Sequence, residues 1–204
     1  MRAGRKDGRA ALGFAVHTGW AVLVAASGPT SSVEVLDRRR LEMIPGGDRG
    51  SPRFVYHAAK ELPLETAERM IRGLAELSLA RAKTALQAAV EELVAKDYQV
   101  TASGIIVGGR PLPTSLDAIL KSHALIHAAE GELFRRAIRG ASESLEIPVT
   151  EVRATALHSR AAKTLGMSIE GIEQHLSGIG RVVGRPWAKD HRDACLAATI
   201  ALCG

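Results

Sequence analysis

Two aspartates near the C-terminus, Asp190 and Asp193, stand three residues apart at the start of a long apolar run. The run predicts a closing helix, and residues three apart lie on one face of a helix. Such a pair can hold a divalent ion, Mg²⁺ or Mn²⁺, and take part in catalysis. It can equally begin the helix, with Asp190 as the N-cap and Asp193 at the third helical position, where a carboxylate suits the helix dipole.

A second chemically active group is formed by His123, His127 and Glu130, which are spaced i, i+4 and i+7 in another predicted helix. All three side chains lie on one face of that helix. Two imidazoles and a carboxylate can bind zinc or another divalent ion. Alternatively, Glu130 is a general base oriented by His127, or the histidines are hydrogen-bonded where the helix meets a sheet.

His17 lies in a predicted turn between two short apolar runs. A neutral imidazole at this position can bind a metal ion or relay a proton, which makes His17 a candidate catalytic residue. The alternative is a histidine that simply faces water.

Gly108, Gly109 and Arg110 follow a predicted buried strand over residues 100–107. In open α/β sheets, ligands gather at the carboxyl ends of strands. Two glycines let backbone N–H groups approach an anion, and the Arg110 guanidinium can bind it with two hydrogen bonds. The three residues are therefore candidates for binding a phosphate or carboxylate. A loop imposed by Pro111 and Pro113 is the alternative.

The charge balance favours a polyanionic partner. The chain has 204 residues, 24% of them charged, and a net charge of +5, which attracts DNA or RNA. Basic residues cluster in a tail predicted to be disordered, residues 1–9, and in a strand at residues 38–40, where Arg39 is a candidate phosphate contact. Aromatic residues make up only 3% of the chain, which disfavours binding of single strands by base stacking.

The two cysteines predict a reducing compartment. Cys195 and Cys203 are eight residues apart in the closing helix, about 12 Å along its axis, which is too far for a disulfide. No cysteine pair has zinc-finger spacing. We therefore expect a cytoplasmic protein, without a signal peptide or a membrane-spanning segment.

The order of predicted elements indicates the fold class. Strands at residues 10–16, 20–26 and 33–41 form an antiparallel meander, followed in turn by a helix, a strand, a helix, a strand and further helices. The later bounds are residues 64–94, 100–107, 116–145, 148–152, two short helices between 154 and 176, a loop over 178–186 and a last helix over 189–202. This order predicts a single α/β domain, residues 10–204, with a mixed sheet covered by helices on both faces.

These elements and three motifs resemble the ribonuclease H-like superfamily, and within it the RuvC-type Holliday-junction resolvases. Residues 12–16 (LGFAV) and 18–22 (TGWAV) resemble the first hairpin of that family. Residues 118–131 resemble the start of its second long helix, and residues 190–197 (DHRDACLA) resemble its last helix.

The resemblance implies a site of two divalent ions held by carboxylates from the first strand, the fourth strand and the last helix. Here Ala15 stands where the family has an aspartate, and residues 106–108 contain no acid. Two ions need several anionic ligands. The resemblance therefore implies a protein that binds structured nucleic acid and has lost or altered nuclease activity.

Two other functions stay open. One is a non-catalytic interaction module that forms a homodimer, which the missing carboxylates and the alanine-rich helices favour. The other is an enzyme for a small anionic substrate, with a cleft built from five residues: His17, His123, His127, Glu130 and Arg110.

Overall fold

A computed structural model of the protein describes residues 8–29, 32–44 and 53–204. Five strands form one sheet in the order β3-β2-β1-β4-β5. Their bounds are β1 (Gly8–His17), β2 (Trp20–Ser27), β3 (Glu34–Glu42), β4 (Tyr98–Val107) and β5 (Val149–Arg153). The first three strands are antiparallel neighbours, β4 runs parallel to β1, and β5 runs parallel to β4. The predicted mixed sheet with an N-terminal meander is confirmed.

Strand β1 begins two residues earlier than predicted. Gly8 and Arg9 pair with Tyr98 and Gln99 of β4, so these two residues belong to the sheet and not to the predicted disordered tail. The remaining tail, residues 1–7, lies outside the described residues. Gly19, which follows β1 in the hairpin turn, has a φ of +82°, a conformation that glycine adopts without steric cost.

Seven α-helices cover the sheet within the described ranges. Their bounds are α1 (Val55–Ala59), α2 (Leu64–Val94), α3 (Leu116–Leu120), α4 (His123–Ser144), α5 (Leu157–Leu165), α6 (Ile169–Val183) and α7 (Lys189–Cys203). Helix α2 has the predicted bounds. In this part of the chain, no helix has both the length and the apolar character that a membrane span requires.

Two predicted boundaries are wrong. The helix predicted over residues 116–145 is divided into α3 and α4, because Ser122 has an extended backbone, with φ −122° and ψ 112°. The loop predicted over residues 178–186 is mostly helix, because α6 continues to Val183. Gly180 of this helix lets the Trp187 ring pack closely against it, because a Cβ atom added to Gly180 would lie 2.4 Å from the ring.

The two faces of the sheet bury separate apolar clusters. Side chains alternate along a strand, so Phe14 and Leu23 pack towards α2 and α4, whereas Ala15 and Val22 pack towards α5, α6 and α7. Both cysteines are free. Burial raises the pKa of the Cys195 thiol to about 12, so Cys195 is an inert part of the second cluster.

Helix α7 lies directly on the centre of the sheet. A Cβ atom added to Gly13 would lie 1.8 Å from the carbonyl oxygen of Ala194. A Cβ atom added to Gly104 would lie 2.1 Å from the carbonyl oxygen of Ala197. Both distances are far below van der Waals contact, and the opposing atoms belong to backbone that cannot rotate away. The small residues of β1, β4 and α7 thus set the height of the helix above the sheet.

We expect Gly13→Ala to lower the free energy of unfolding by about 3 kcal/mol or more, because the extra methyl group overpacks a backbone–backbone contact. Gly73→Ala is the matched control. Gly73 lies in α2 with nothing within 4 Å of an added Cβ, so this change should stabilise the helix by about 0.5–1 kcal/mol. Urea unfolding measures both. A Gly13→Ala variant as stable as the wild type would contradict the packing described.

Candidate functional site

The N-terminus of α7 meets the carboxyl edge of the sheet at His17. The Nε2 atom of His17 lies 3.0 Å from Oδ2 of Asp190, an ion-pair distance, and the side chains are 40% and 33% exposed. The His17 ring stacks on Trp20 with 4.2 Å between ring centroids. The Arg40 guanidinium carbon lies 3.8 Å from the Trp20 ring centroid on strand β2. Asp190, His17, Trp20 and Arg40 therefore form a chain of side-chain contacts at this edge, in which the His17 and Trp20 rings are stacked.

The two aspartates of α7 have separate partners. The N-cap of α7 is Ala188, so Asp190 is the second helical residue and Asp193 the fifth. The predicted assignment of Asp190 as N-cap and Asp193 as third residue is therefore wrong. Asp190 still lies in the first turn, where its charge suits the helix dipole. Asp193 is buried and forms an ion pair with Lys189, and the hydrogen bond from Lys189 to Asp193 raises the Lys189 pKa.

No additional carboxylate comes from the strand positions where the resemblance implies one. Ala15 is buried in the apolar cluster beneath α7. Strand β4 ends at Val107, and Gly108 follows as exposed loop. The residues at these positions carry no oxygen ligand on their side chains, so a site for two ions of that design is not formed.

Arg39, predicted to bind substrate, forms ion pairs with two carboxylates of the protein itself. Its Nη2 atom lies 2.5 Å from Oε2 of Glu92 on α2, and its Nε atom lies 2.5 Å from Oδ2 of Asp37. The hydrogen bond to Glu92 is the main cause that raises the Arg39 pKa. Arg39 therefore ties β3 to α2, and the opposite side of the strand is left to Arg38 and Arg40.

Arg38 connects the sheet edge to the segment before α7. Its two terminal nitrogens donate to the carbonyl oxygens of Gly184 and Arg185, at 2.8 and 3.1 Å. A surface cavity of about 370 Å³ opens beside this contact. Its lining includes Arg38 and Arg40 together with Trp20, Asp190 and His191. The cavity is thus lined by three consecutive arginines of β3, Arg38 to Arg40, and by one acidic residue, Asp190.

Four arginines form a surface that we call the basic rim: Arg38, Arg40, Arg181 and Arg185. Arg181 and Arg185 are exposed and line a second cavity of about 370 Å³. Neither forms an ion pair with a carboxylate of the described residues. Arg38 contacts the backbone of Arg185, so the four residues are contiguous around the start of α7. The sequence alone did not indicate Arg181 and Arg185 as candidate binding residues.

The predicted anion-binding loop starts at the same edge. Because β1 and β4 are parallel, their carboxyl ends at His17 and Val107 lie on one side of the sheet. Gly108, Gly109 and Arg110 are exposed, and an added Cβ on Gly109 would contact nothing within 4 Å. Packing therefore does not require glycine at position 109. Binding of an anion by this loop stays a prediction.

Glu130 lies beneath helix α1. The residue is 2% exposed. It accepts hydrogen bonds from the backbone N–H groups of Val55 at 3.0 Å, Tyr56 at 2.8 Å and His57 at 3.1 Å. It therefore satisfies the free amides of the first turn of α1. The sequence did not reveal this contact, because more than 70 residues separate Glu130 from α1.

His123 and His127, which were predicted to act together with Glu130, lie beside His57 instead. The Nε2 atoms of His123 and His127 lie 3.0 Å apart. His57 of α1 joins them, and ligand atoms of the three histidines all lie within 4.8 Å of one another. We call these three residues the histidine cluster. His57, and not Glu130, is the third side chain that faces a common point with His123 and His127.

The comparisons with known proteins identify the fold. No family model matches the sequence, and no curated protein matches it. Solved structures match nearly the whole chain. Thermus thermophilus RuvC in complex with a Holliday junction substrate has a TM-score of 0.54 at 11% identity, over 94% of this chain and 91% of that one. Thermus thermophilus RuvC has a TM-score of 0.52 at 13% identity, over 94% and 92%. The fold is that of the RuvC resolvases, as predicted.

Stability should depend on pH through His191. Burial lowers the pKa of His191, the charge of Arg38 lowers it further, and Asp190 opposes this. Below pH 6.5, about the pKa of histidine in an unfolded chain, His191 of the unfolded chain binds a proton, whereas His191 of the folded protein stays neutral until a lower pH. The free energy of unfolding therefore falls as the pH drops from about 6.5 towards the folded pKa. Urea unfolding at pH 7 and 5.5 should show a smaller loss for His191→Gln than for the wild type; equal losses would contradict this.

Proposed function

We propose that the protein binds structured DNA or RNA at the carboxyl edge of its sheet and does not cleave it by two-metal chemistry. The observation that carries the proposal is the basic rim, which surrounds the start of α7 in a fold shared with RuvC. One of the structural neighbours was solved with a Holliday junction, and a branched nucleic acid is therefore the first ligand to test.

The basic rim has the chemistry that binding to phosphates needs. Arg181 and Arg185 have guanidinium groups free of carboxylate partners among the described residues. Such groups can bind phosphate oxygens with two hydrogen bonds and release counterions. Arg40 stacks on Trp20 and pairs with Glu42, so its charge is held in place and partly offset. Arg38 fixes the segment around Arg185 by two hydrogen bonds and so positions the surface.

The contacts of Asp190 and Asp193 support binding of nucleic acid more than its cleavage. Asp190 contacts His17, and Asp193 is paired with Lys189. Ala15 and residues 106–108 add no anionic ligand. Asp190 and Asp193 could hold at most one Mg²⁺ or Mn²⁺ ion, because two neighbouring cations need more negative charge than two carboxylates supply.

The two alternative functions receive less support. The enzyme for a small anion requires His17, Glu130 and Arg110 in one cleft, but Glu130 is buried against α1. Cavities of about 690 and 830 Å³ elsewhere on the described surface contain none of these residues. The homodimeric interaction module stays a prediction, which light scattering of the purified protein would test.

We expect a fluorescent four-way junction to bind with an affinity that falls linearly with salt on a log–log plot, because arginines displace counterions from phosphates. Arg181→Gln with Arg185→Gln should reduce the slope by about 1 for each phosphate that the variant no longer neutralises. The control is Arg72→Gln with Lys83→Gln, which removes two positive charges from exposed positions on α2. Fluorescence anisotropy measures all three proteins.

The proposal fails if the junction does not bind at low salt. It also fails if the control pair lowers the affinity and the salt slope as much as the rim pair does, since net charge and not the rim would then explain binding.

We expect no strand cleavage of a bound junction with Mg²⁺ or Mn²⁺, because the strand carboxylates are missing. Asp190→Asn with Asp193→Asn should bind the junction at least as tightly as the wild type, since two negative charges leave the interface. Denaturing gels and anisotropy give the two readouts. Cleavage that needs Mn²⁺ and disappears in the double variant would instead show a working metal site at the two aspartates.

A further inference from the structure

The histidine cluster joins two elements that are far apart in the sequence. His123 and His127 lie one turn apart at the start of α4, and His57 comes from α1. The ring centroids of His57 lie 5.6 Å from His123 and 4.8 Å from His127, and those of His123 and His127 lie 4.4 Å apart. His57 is 31% exposed, and His123 and His127 are exposed. Solvent and ions can therefore reach the cluster.

Glu130 orients His57 from behind. Its Oε1 atom lies 3.2 Å from Nδ1 of His57, and its carboxylate is buried. A carboxylate oxygen that accepts a hydrogen bond from Nδ1 of His57 leaves Nε2 of the same ring available as a ligand atom. A carboxylate behind a histidine is the usual arrangement that fixes the tautomer of a metal ligand and strengthens it.

We propose that the histidine cluster binds a divalent transition-metal ion of the Zn²⁺ class, with His57, His123 and His127 as ligands and Glu130 as the group that positions His57. Zinc–nitrogen bonds of about 2.0–2.1 Å separate neighbouring nitrogens by about 3.3 Å in a tetrahedron. The Nε2 atoms of His123 and His127, at 3.0 Å, are close to that spacing. The ligand atom of His57 lies within 4.8 Å of those of the other two histidines. It must therefore move by about 1.5 Å at most to reach the tetrahedral spacing.

The donor set decides the class of ion. Imidazole nitrogens suit Zn²⁺, Co²⁺, Ni²⁺ and Cu²⁺, whereas Mg²⁺ and Ca²⁺ require oxygen ligands. Three histidines leave a fourth position open to water. The site is separate from the Asp190 and Asp193 pair in both residues and chemistry, and it does not depend on the proposed binding of nucleic acid.

Binding of the ion would tie α1 to α4. Helix α1 has five residues, and its N-cap, Phe54, makes no side-chain capping bond; its first turn is held instead by Glu130. A bond from His57 to an ion shared with α4 adds a second tie between the same two elements. The metal therefore stabilises the folded protein as well as occupying a site.

Titration of tag-free, chelator-treated protein with Zn²⁺ against a chromogenic chelator tests the site, and needs no nucleic acid. We expect one ion bound per chain through the cluster and a rise in melting temperature on loading. His57→Ala or His127→Ala should weaken binding by more than about 100-fold, beyond the 10–100-fold typical of an outer-shell change. His158→Ala is the control, because His158 lies outside the cluster and pairs with Glu173.

Glu130→Gln tests the carboxylate that positions His57, and thermal unfolding of the metal-free variant reports any accompanying loss of the α1 anchor. The variant keeps one oxygen acceptor but loses the charge, so we expect Zn²⁺ affinity to fall by about 10–100-fold with the far-ultraviolet circular dichroism unchanged. The Co²⁺-loaded wild type should show the visible absorption bands of four-coordinate Co²⁺, and His57→Ala should lack these bands. Zn²⁺ binding that is equal in His57→Ala and the wild type, or that His158→Ala weakens as much as His57→Ala does, overturns the proposal.

Discussion

The close contact between α7 and the central strands is the constraint on which the rest of the structure depends. Gly13 and Gly104 let the helix backbone lie on β1 and β4 with no side chain between them, and the buried residues Ala194, Ala197 and Ala198 complete the contact. A helix held at this height carries its first turn to the carboxyl edge of the sheet. Asp190 therefore reaches His17, and the segment before α7 reaches Arg38.

At that edge, aromatic and basic side chains surround the carboxylates that α7 supplies. The resemblance to RuvC implies acids on the first and fourth strands, where this chain has Ala15 and Val107. The neighbouring positions instead support a stack of His17, Trp20 and Arg40. Under the proposed function this edge attracts phosphates, because the four arginines of the basic rim lie around the start of α7.

A single buried carboxylate organises the other chemically active region. Glu130 accepts three backbone amides from α1 and faces Nδ1 of His57. Burial of an ionised group is costly unless its hydrogen-bonding capacity is satisfied, and α1 supplies the donors. The same contacts bring His57 against His123 and His127, so the anchoring of a short helix and the assembly of a histidine cluster have one cause.

The sequence by itself determined the order of the elements, the mixed sheet and the bounds of α2, because apolar periodicity and turn residues are local signals. It also placed His123 and His127 on one helical face. Only the tertiary structure decided which residues complete each site. Arg39 pairs with Glu92, Glu130 anchors α1, and His57 and Arg185 complete their clusters. These outcomes depend on contacts between residues far apart in the chain, and no local pattern in the sequence encodes such contacts.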